Sequence, residues 1–112
     1  MLDTSLDVEK LKKLQFKIMK DVAASALIPL MRIGDQLGLF QKLSALGPIT
    51  SKKFAEEAKV DERYLREWLY ALSATDFVSY DGEKEEFSLS PEQKAVFADE
   101  EGPANMLGAY EV

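Results

Sequence analysis

The feature that most constrains this chain is a pair of short helical patterns joined by a tight turn at Val60-Asp61. The first pattern begins at Thr50 or Ser51, whose hydroxyl can cap a helix, and extends through Ala58. The second begins after Asp61, another capping residue, and extends to about Thr75. Its apolar side chains recur at helical spacing and are Tyr64, Leu65, Trp68, Leu69 and Leu72. Two amphipathic helices with so short a connection are typical of a helix–turn–helix.

A β-hairpin pattern follows the second helix. Residues 77–80 (FVSY) and 86–89 (EFSL) are typical of strands, and Asp81-Gly82 between them is typical of a turn. Ser90 and Pro91 then predict the cap and first position of a short helix toward Ala98. Helices, a helix–turn–helix and a hairpin, in that order, define a winged-helix domain. The predicted fold class is therefore mainly α, a winged helix–turn–helix with a two-stranded β-hairpin, preceded by long N-terminal helices.

A long helical pattern precedes this unit, from Leu6 to about Leu46. Its first apolar ridge is Leu11, Leu14, Ile18, Val22 and Ala26, and a neighbouring ridge includes Phe16, Met19, Leu27 and Leu30. A surface helix needs only one apolar stripe, so two ridges predict burial against the chain's own core and against a second partner. A helix that is simply central to its own domain is the alternative.

Proline and glycine residues interrupt the helical pattern of the same region. Pro29 lacks a backbone N–H, so we expect a kink or a break there. A second helical stretch with Ile33, Leu37 and Phe40 on one ridge follows and ends at Gly47-Pro48. Gly34 and Gly38 are spaced as GxxxG. Because charged and polar residues lie between these glycines, we interpret the pair as close packing of soluble helices rather than as a membrane motif.

These patterns divide the chain into N-terminal helices at 1–46, a winged helix–turn–helix at 47–98 and a connection at 99–112. We predict a homodimer through the N-terminal helices, because both ridges exposed on a monomer would form a large apolar patch. The candidates for contacting a partner or an apolar substrate are Leu11, Phe16, Met19, Leu27, Leu30 and Met31. Core packing is the alternative for each of them. If Leu27 lies in the dimer surface, Leu27→Glu would split the dimer and leave the helix–turn–helix folded.

The composition excludes several kinds of chemistry. The 112 residues include no cysteine and no histidine, so a disulfide framework, a thiolate nucleophile and a histidine-based triad are excluded. No two glycines are spaced as Gly-x-Gly, so no dinucleotide or phosphate loop can be drawn. The acidic runs at 81–86 and 99–101 lack the spacing of a calcium loop. We therefore predict no catalytic, cofactor-binding or metal-binding residue in this chain.

No signal peptide or membrane-spanning segment is visible, so a cytoplasmic location is the expectation. The net charge of −6 weighs against a dedicated nucleic-acid binder. Residues 61–67, which a winged helix would place in the major groove, hold three acids and two arginines. The hairpin holds four acids against Lys84 alone. Both surfaces would repel phosphate, so nucleic acid and membrane are not expected partners.

Three blocks of this sequence resemble the N-terminal domain of bacterial class I S-adenosylmethionine-dependent methyltransferases. They are GDQLGLF at 34–40 with GPIT at 47–50, YLREWL at 64–69, and FSLSPE at 87–92. Their order and approximate spacing match, and the resemblance covers about residues 20–110. A related winged-helix domain occurs in small-molecule O-methyltransferases, where it mediates dimerisation and helps to cover the substrate.

The resemblance implies a larger parent enzyme in which a Rossmann-like domain follows. This chain would then be a fragment, the N-terminal dimerisation and substrate-pocket domain. The absent domain would bind S-adenosylmethionine and act on a small-molecule methyl acceptor. No catalytic residue carries over, because the cofactor motifs of the family lie outside these positions. A DNA-binding transcriptional regulator and a stand-alone interaction module are the alternatives, and a continuation with a Gly-x-Gly loop after a strand would exclude both.

Overall fold

One long helix, α1 (Val8–Gln36), begins the structure, which is a computed structural model that describes residues 5–110. Residues 1–4 and 111–112, which the predicted segments 1–46 and 99–112 include, lie outside the described residues. The carboxylate of Asp7 caps α1 by accepting hydrogen bonds from the backbone amides of Glu9 and Lys10.

Pro29 lies inside α1, and the helix continues past it to Gln36. The helix therefore does not break at Pro29, and the other predicted outcome, a kink, stays a prediction. A proline removes only the hydrogen bond to the carbonyl four residues earlier, that of Ser25. Leu27 and Met31, one on each side of Pro29, are buried in the core. Tertiary packing of this kind supplies most of the stability of a protein helix, and here it holds α1 together across the proline.

The chain turns sharply before the second helix, α2 (Leu39–Leu46). Gly38 makes the turn with a φ of 64°, in the left-handed region that favours glycine. The turn separates residues that the sequence placed on one ridge, because Ile33 lies in α1, Leu37 caps it, and Phe40 lies in α2. Ile33 and Leu37 are exposed whereas Phe40 is fully buried, so the predicted ridge is wrong.

Helices α3 (Ser51–Ala58) and α4 (Glu62–Ala74) confirm the predicted helix–turn–helix. The Thr50 hydroxyl accepts from the backbone amide of Lys53, and the Asp61 carboxylate accepts from that of Tyr64. The inward residues of α4 are Leu65, Trp68, Leu69 and Leu72. Tyr64 was predicted on the same stripe, but it lies at the edge of that stripe and is exposed.

A three-stranded antiparallel sheet forms the wing, with strand order β1-β3-β2. The strands are β1 (Ile49–Thr50), β2 (Ser79–Asp81) and β3 (Glu86–Ser88). The hairpin is confirmed, although its first strand begins at Ser79 rather than at Phe77. Strand β1 was not predicted from the sequence, because two residues are too few to show a periodic pattern. Ile49 and Tyr80 flank Phe87 from opposite sides of β3.

The C-terminal segment packs against the domain. Ser90 and Gln93 form a capping box for the short helix α5 (Pro91–Gln93), which continues as a π-helical turn at Lys94–Ala98. Farther along, Leu107 is buried, and the Met106 amide donates to the Val96 carbonyl at 2.8 Å. The segment that the sequence predicted as a connection is thus folded onto the domain over its described residues.

The core draws on α2, α3, α4 and the sheet but on only the last part of α1. Its fully buried members are Met31, Phe40, Leu43, Phe54, Leu69, Leu72, Val78 and Phe87. The preceding residues of α1, 8–26, project away from it and are called the arm below. The long axis of the molecule measures 56 Å, and its radius of gyration is 17.1 Å. A compact domain of this length would have a radius of gyration of about 13 Å.

Within residues 5–110, no helix is both long enough and apolar enough to cross a membrane.

Candidate functional site

The arm exposes an unusual amount of apolar surface for a helix. Its strongly exposed apolar side chains are Val8, Leu14, Phe16, Ile18, Met19 and Val22. Leu11 is half-buried, and the first buried residue along α1 is Leu27. Soluble monomers usually avoid contiguous apolar patches of this kind. The arm is therefore the first candidate for an interaction surface.

Part of the apolar surface of the arm lies along one side of α1. At 3.6 residues per turn, Leu11, Ile18 and Val22 point within about 40° of one another. Ile33, which follows the core-packed turns, falls on the same side and is also exposed. These four residues are called the α1 stripe. The opposite side of the arm is basic, with Lys10, Lys13, Lys17 and Lys20.

The stripe leads into an apolar groove between the end of α1 and helix α4. The groove has a volume of about 480 Å³. Its walls include Leu30, Ile33 and Leu37 from the α1 side and Tyr64, Trp68 and Ala71 from α4. Asp61 and Glu67 are the charged residues among those that line it. Because small-molecule sites usually measure about 300–1,000 Å³, the groove is large enough for a small apolar molecule or for side chains of a partner.

A tight contact between α1 and α4 fixes the walls of the groove. The indole N–H of Trp68 donates to the Leu30 carbonyl at 2.9 Å. The Trp68 ring also packs against Phe40, with ring centroids 5.2 Å apart. Gly34 lies directly beneath both rings, and its missing side chain makes this approach possible. The close packing that the sequence suggested for the two glycines is therefore present at Gly34, whereas Gly38 forms the turn before α2.

The six candidate contact residues fall into three groups. Leu27 and Met31 are buried in this chain's own core, which is the alternative that the sequence left open for each of them. Leu30 is partly buried and lines the groove. Leu11, Phe16 and Met19 lie on the arm, where their contact with a partner stays a prediction. Sequence reasoning missed the groove, because periodicity does not reveal that Leu37 and Tyr64 are exposed.

The surfaces that a winged helix uses for DNA carry their charges in internal pairs. On α4, Arg63 pairs with Glu67 and Arg66 pairs with Glu62, each at 3.8 Å. These pairs engage both arginines of residues 61–67. They are exposed, so each contributes at most about 1 kcal/mol to stability. They leave the start of α4 without an excess of positive charge.

The wing is stabilised by its own aromatic and carboxylate contacts. Tyr80 packs on Phe87 with centroids 4.6 Å apart, and a hydrogen bond with Tyr70 raises the pKa of Tyr80 to about 12. The Asp81 carboxylate accepts from the amides of Glu83 and Lys84 and so holds the turn. Among the described residues, no group of three or more acidic side chains is placed to hold a metal ion.

We expect duplex DNA to bind this chain only weakly and without sequence preference. The acidic wing and the internally paired arginines of α4 offer phosphate little attraction, and phosphate contacts dominate DNA affinity. A gel-shift or sequence-selection experiment at near-physiological salt is the test, because low salt would exaggerate binding through the lysines of the arm. Enrichment of a defined sequence motif would contradict this expectation and favour a transcriptional regulator.

The order of elements, the three-stranded wing and the capped α3–α4 pair define a winged helix–turn–helix domain. Residues 23–98, more than half of the chain, match the family described as the Rv2258c-like winged HTH domain, and the chain belongs to that family. The winged-helix identification made from the sequence is thereby confirmed. The search of curated proteins returned no match.

Solved structures with the same fold include LepI in complex with SAM, with a TM-score of 0.64 and 18% identity over 80% of this chain. A protein described as a pericyclic reaction enzyme has a TM-score of 0.64 and 19% identity over 78% of this chain. A LepI variant in complex with SAH and a substrate analogue has a TM-score of 0.63 and 20% identity over 79%. This chain covers 25%, 24% and 24% of those proteins, respectively, about a quarter of their length.

Proposed function

We propose that this chain is the N-terminal dimerisation and substrate-pocket domain of a larger S-adenosylmethionine-dependent methyltransferase. The observation that carries the proposal is the exposed apolar arm of α1 beside an apolar groove. The three resembling sequence blocks, together with neighbours solved with SAM or SAH, support the enzyme class. Methyl transfer to a small molecule by the purified parent protein is the test of that class. The cytoplasm stays the predicted location.

The exposed apolar side chains of the arm support the proposed dimer. Each Val, Leu, Ile, Met or Phe side chain that becomes fully buried contributes about 1.5–3 kcal/mol. The arm exposes six large apolar side chains, and a two-fold dimer would bury those that face the partner in both copies. Even partial burial of this set offsets an association cost of about 4–15 kcal/mol. This balance supports a dimer formed through the arm.

The groove supports the second part of the role, a wall of the substrate pocket. Its volume of about 480 Å³ fits a small molecule, and its lining is mainly apolar. One donor in its wall, the Trp68 indole N–H, is already engaged by the Leu30 carbonyl. The wall would therefore hold an apolar part of the methyl acceptor, while the transfer itself would be performed by the domain that carries the cofactor.

A pericyclase-type enzyme is the second candidate for the parent, because one structural neighbour is described as a pericyclic reaction enzyme. The two candidates differ in whether a methyl group is transferred from S-adenosylmethionine to the substrate. Incubation of the parent with methyl-labelled cofactor and candidate substrates separates them, since only a methyltransferase moves the label into product.

We expect the wild-type chain to be a dimer and Val22→Glu to be a folded monomer. Val22 is 64% exposed on the arm, so a carboxylate there costs the single chain little. In a two-fold dimer centred on the arm, two like charges would meet near the axis, and we expect the dissociation constant to rise about 100-fold or more. Light scattering across a concentration series measures the change.

Ile28→Glu is the matched control for that experiment. Ile28 is 49% exposed on the same helix but points to the side that carries Lys10 and Lys17. Its substitution adds the same charge to α1 without placing it in the stripe, so the dimer should persist. A wild-type chain that stays monomeric at high micromolar concentration would refute the proposed dimerisation.

We also expect this chain alone neither to bind S-adenosylmethionine nor to transfer a methyl group. It has no Gly-x-Gly loop to approach the cofactor, and its described elements form a winged helix rather than a Rossmann-like sheet. Calorimetric titration with the cofactor is the measurement. Saturable binding in the micromolar range would contradict the assignment of the cofactor to another domain.

A further inference from the structure

We propose that the tail at residues 99–110, called the strap below, holds the end of α1 in place and thereby sets the width of the groove. Release of the strap would let α1 turn about Gly38 and move its groove edge away from α4. Such a strap would act whatever the reaction of the parent enzyme, which takes it beyond the proposed function.

The direction of α1 depends on few neighbouring elements. The elements that pack most extensively along α1 are α2 and the short 3-10 helix at Leu107–Tyr110. Helix α2 follows α1 directly through the turn at Gly38, which can serve as a hinge. Across the groove, α4 meets the end of α1 through the Trp68 indole and its hydrogen bond to Leu30. The strap is therefore a contact distant in sequence that fixes α1 relative to this hinge.

Leu107 anchors the strap in the core. Its side chain is 5% exposed and belongs to the same apolar cluster as Leu27 and Met31 of α1. The neighbouring Met106 is 58% exposed, so Leu107 rather than Met106 carries the contact with the core. One buried leucine is a small part of that core, so the strap can open without unfolding of the winged unit.

A side-chain hook at Asn105 gives the strap its shape. The side-chain amide of Asn105 donates to the Asp99 carbonyl at 3.0 Å, and its side-chain oxygen accepts from the backbone amide of Leu107 at 3.1 Å. The Met106 amide donates to the Val96 carbonyl at 2.8 Å and ties the strap to the preceding π-helical turn. Loss of the Asn105 side chain would therefore loosen the strap without removing an apolar residue from the core.

The strap also reaches the element on the other side of the hinge. The side-chain amide of Gln41, in α2, donates to the Glu100 carboxylate at 3.0 Å. The strap thus contacts α2 through Glu100 and shares the core with α1 through Leu107. A segment that bridges both sides of a hinge restricts rotation about it, and here that rotation would change the separation of α1 and α4.

Amide hydrogen exchange on the wild-type chain and two variants tests the strap. Asn105→Ala removes the hook, and Leu107→Ala removes the anchor. We expect each variant to speed exchange in residues 27–36 about ten-fold or more and in α3 and α4 less than about three-fold, because the end of α1 opens locally. Met106→Ala is the matched control, since an exposed neighbour should leave all rates within about two-fold of wild type. Measurement at one protein concentration keeps any contribution from dimerisation equal.

The fluorescence of Trp68, the single tryptophan, reports the groove itself. When the end of α1 moves, the indole loses the Leu30 carbonyl and becomes accessible from the groove. We therefore expect quenching of Trp68 by acrylamide to rise about two-fold or more in Asn105→Ala and in Leu107→Ala. Met106→Ala should quench as the wild-type chain does.

Three results would overturn the proposal. Unchanged exchange in residues 27–36 of both variants would show that α1 keeps its direction without the strap. Equally faster exchange in all helices would show that Asn105 and Leu107 support the fold as a whole. Faster exchange at the end of α1 with unchanged quenching of Trp68 would show that the strap does not set the width of the groove. None of these results bears on dimerisation or on methyl transfer, which are measured separately.

Discussion

Leu27→Glu should unfold most of this domain, in contrast to Val22→Glu, which should leave it folded. Leu27 is 7% exposed and packs in the core. Loss of a buried leucine side chain alone costs about 2–5 kcal/mol, and an unpaired carboxylate in its place adds several more. Domains of this size are stable by about 5–15 kcal/mol, so the variant loses most or all of that stability. Circular dichroism during thermal and urea unfolding measures the difference.

Leu27→Met is the matched control, because a volume-conserving apolar exchange should cost less than about 1.5 kcal/mol. The sequence alone led to a different prediction for Leu27→Glu. There, a charge at position 27 dissociates a dimer and leaves the domain folded. The difference arises because α1 turns Leu27 toward this chain's own core. A Leu27→Glu chain that is folded and monomeric would show that Leu27 belongs to a dimer surface rather than to the core.

Gly34→Ala should destabilise the domain, although the same exchange in an ordinary helix stabilises it by about 1 kcal/mol. A Cβ at position 34 would lie 2.6 Å from Cζ2 of Trp68 and 2.7 Å from Cε2 of Phe40. Neither ring can retreat easily, because Trp68 is held by its hydrogen bond to Leu30 and both rings are buried. We expect a net loss of about 1–3 kcal/mol, typical of an overpacked core.

Trp68 is the single tryptophan of the chain, so its fluorescence follows urea unfolding. The same signal reports any displacement of the Trp68 ring by the new side chain at position 34. Gly108→Ala provides the control, because no atom lies within 4 Å of a Cβ built there. That variant should differ from wild type by less than about 0.5 kcal/mol. An increase in stability for Gly34→Ala would show that α1 and α4 are farther apart than the structure has them.

The candidate site was only partly predictable, because it depends on which side of a helix faces the core. The sequence identified two apolar ridges on the N-terminal helix and predicted that something covers the second. It did not reveal that Leu27 and Met31 meet the core while Phe16, Met19 and Val22 remain exposed. Periodicity gives the angle between residues on a helix but not the direction of the neighbouring elements.

The winged helix itself was determined by local chemistry that the sequence carries. The caps at Thr50, Asp61 and Ser90 lie where their side chains can accept nearby backbone amides, and each contact spans three residues. The hairpin and the inward face of α4 likewise depend on short-range periodicity.

Tertiary structure decided the features that depend on distant residues. Strand β1 exists because Ile49 pairs with Phe87, which lies 38 positions away, and two residues alone have no strand signal. Helix α1 passes through Pro29 because the core holds the turns on both sides of it. The groove exists because the Trp68 indole bonds to Leu30 across two helices. Such contacts form only after the chain has folded back on itself, so no local sequence pattern predicts them.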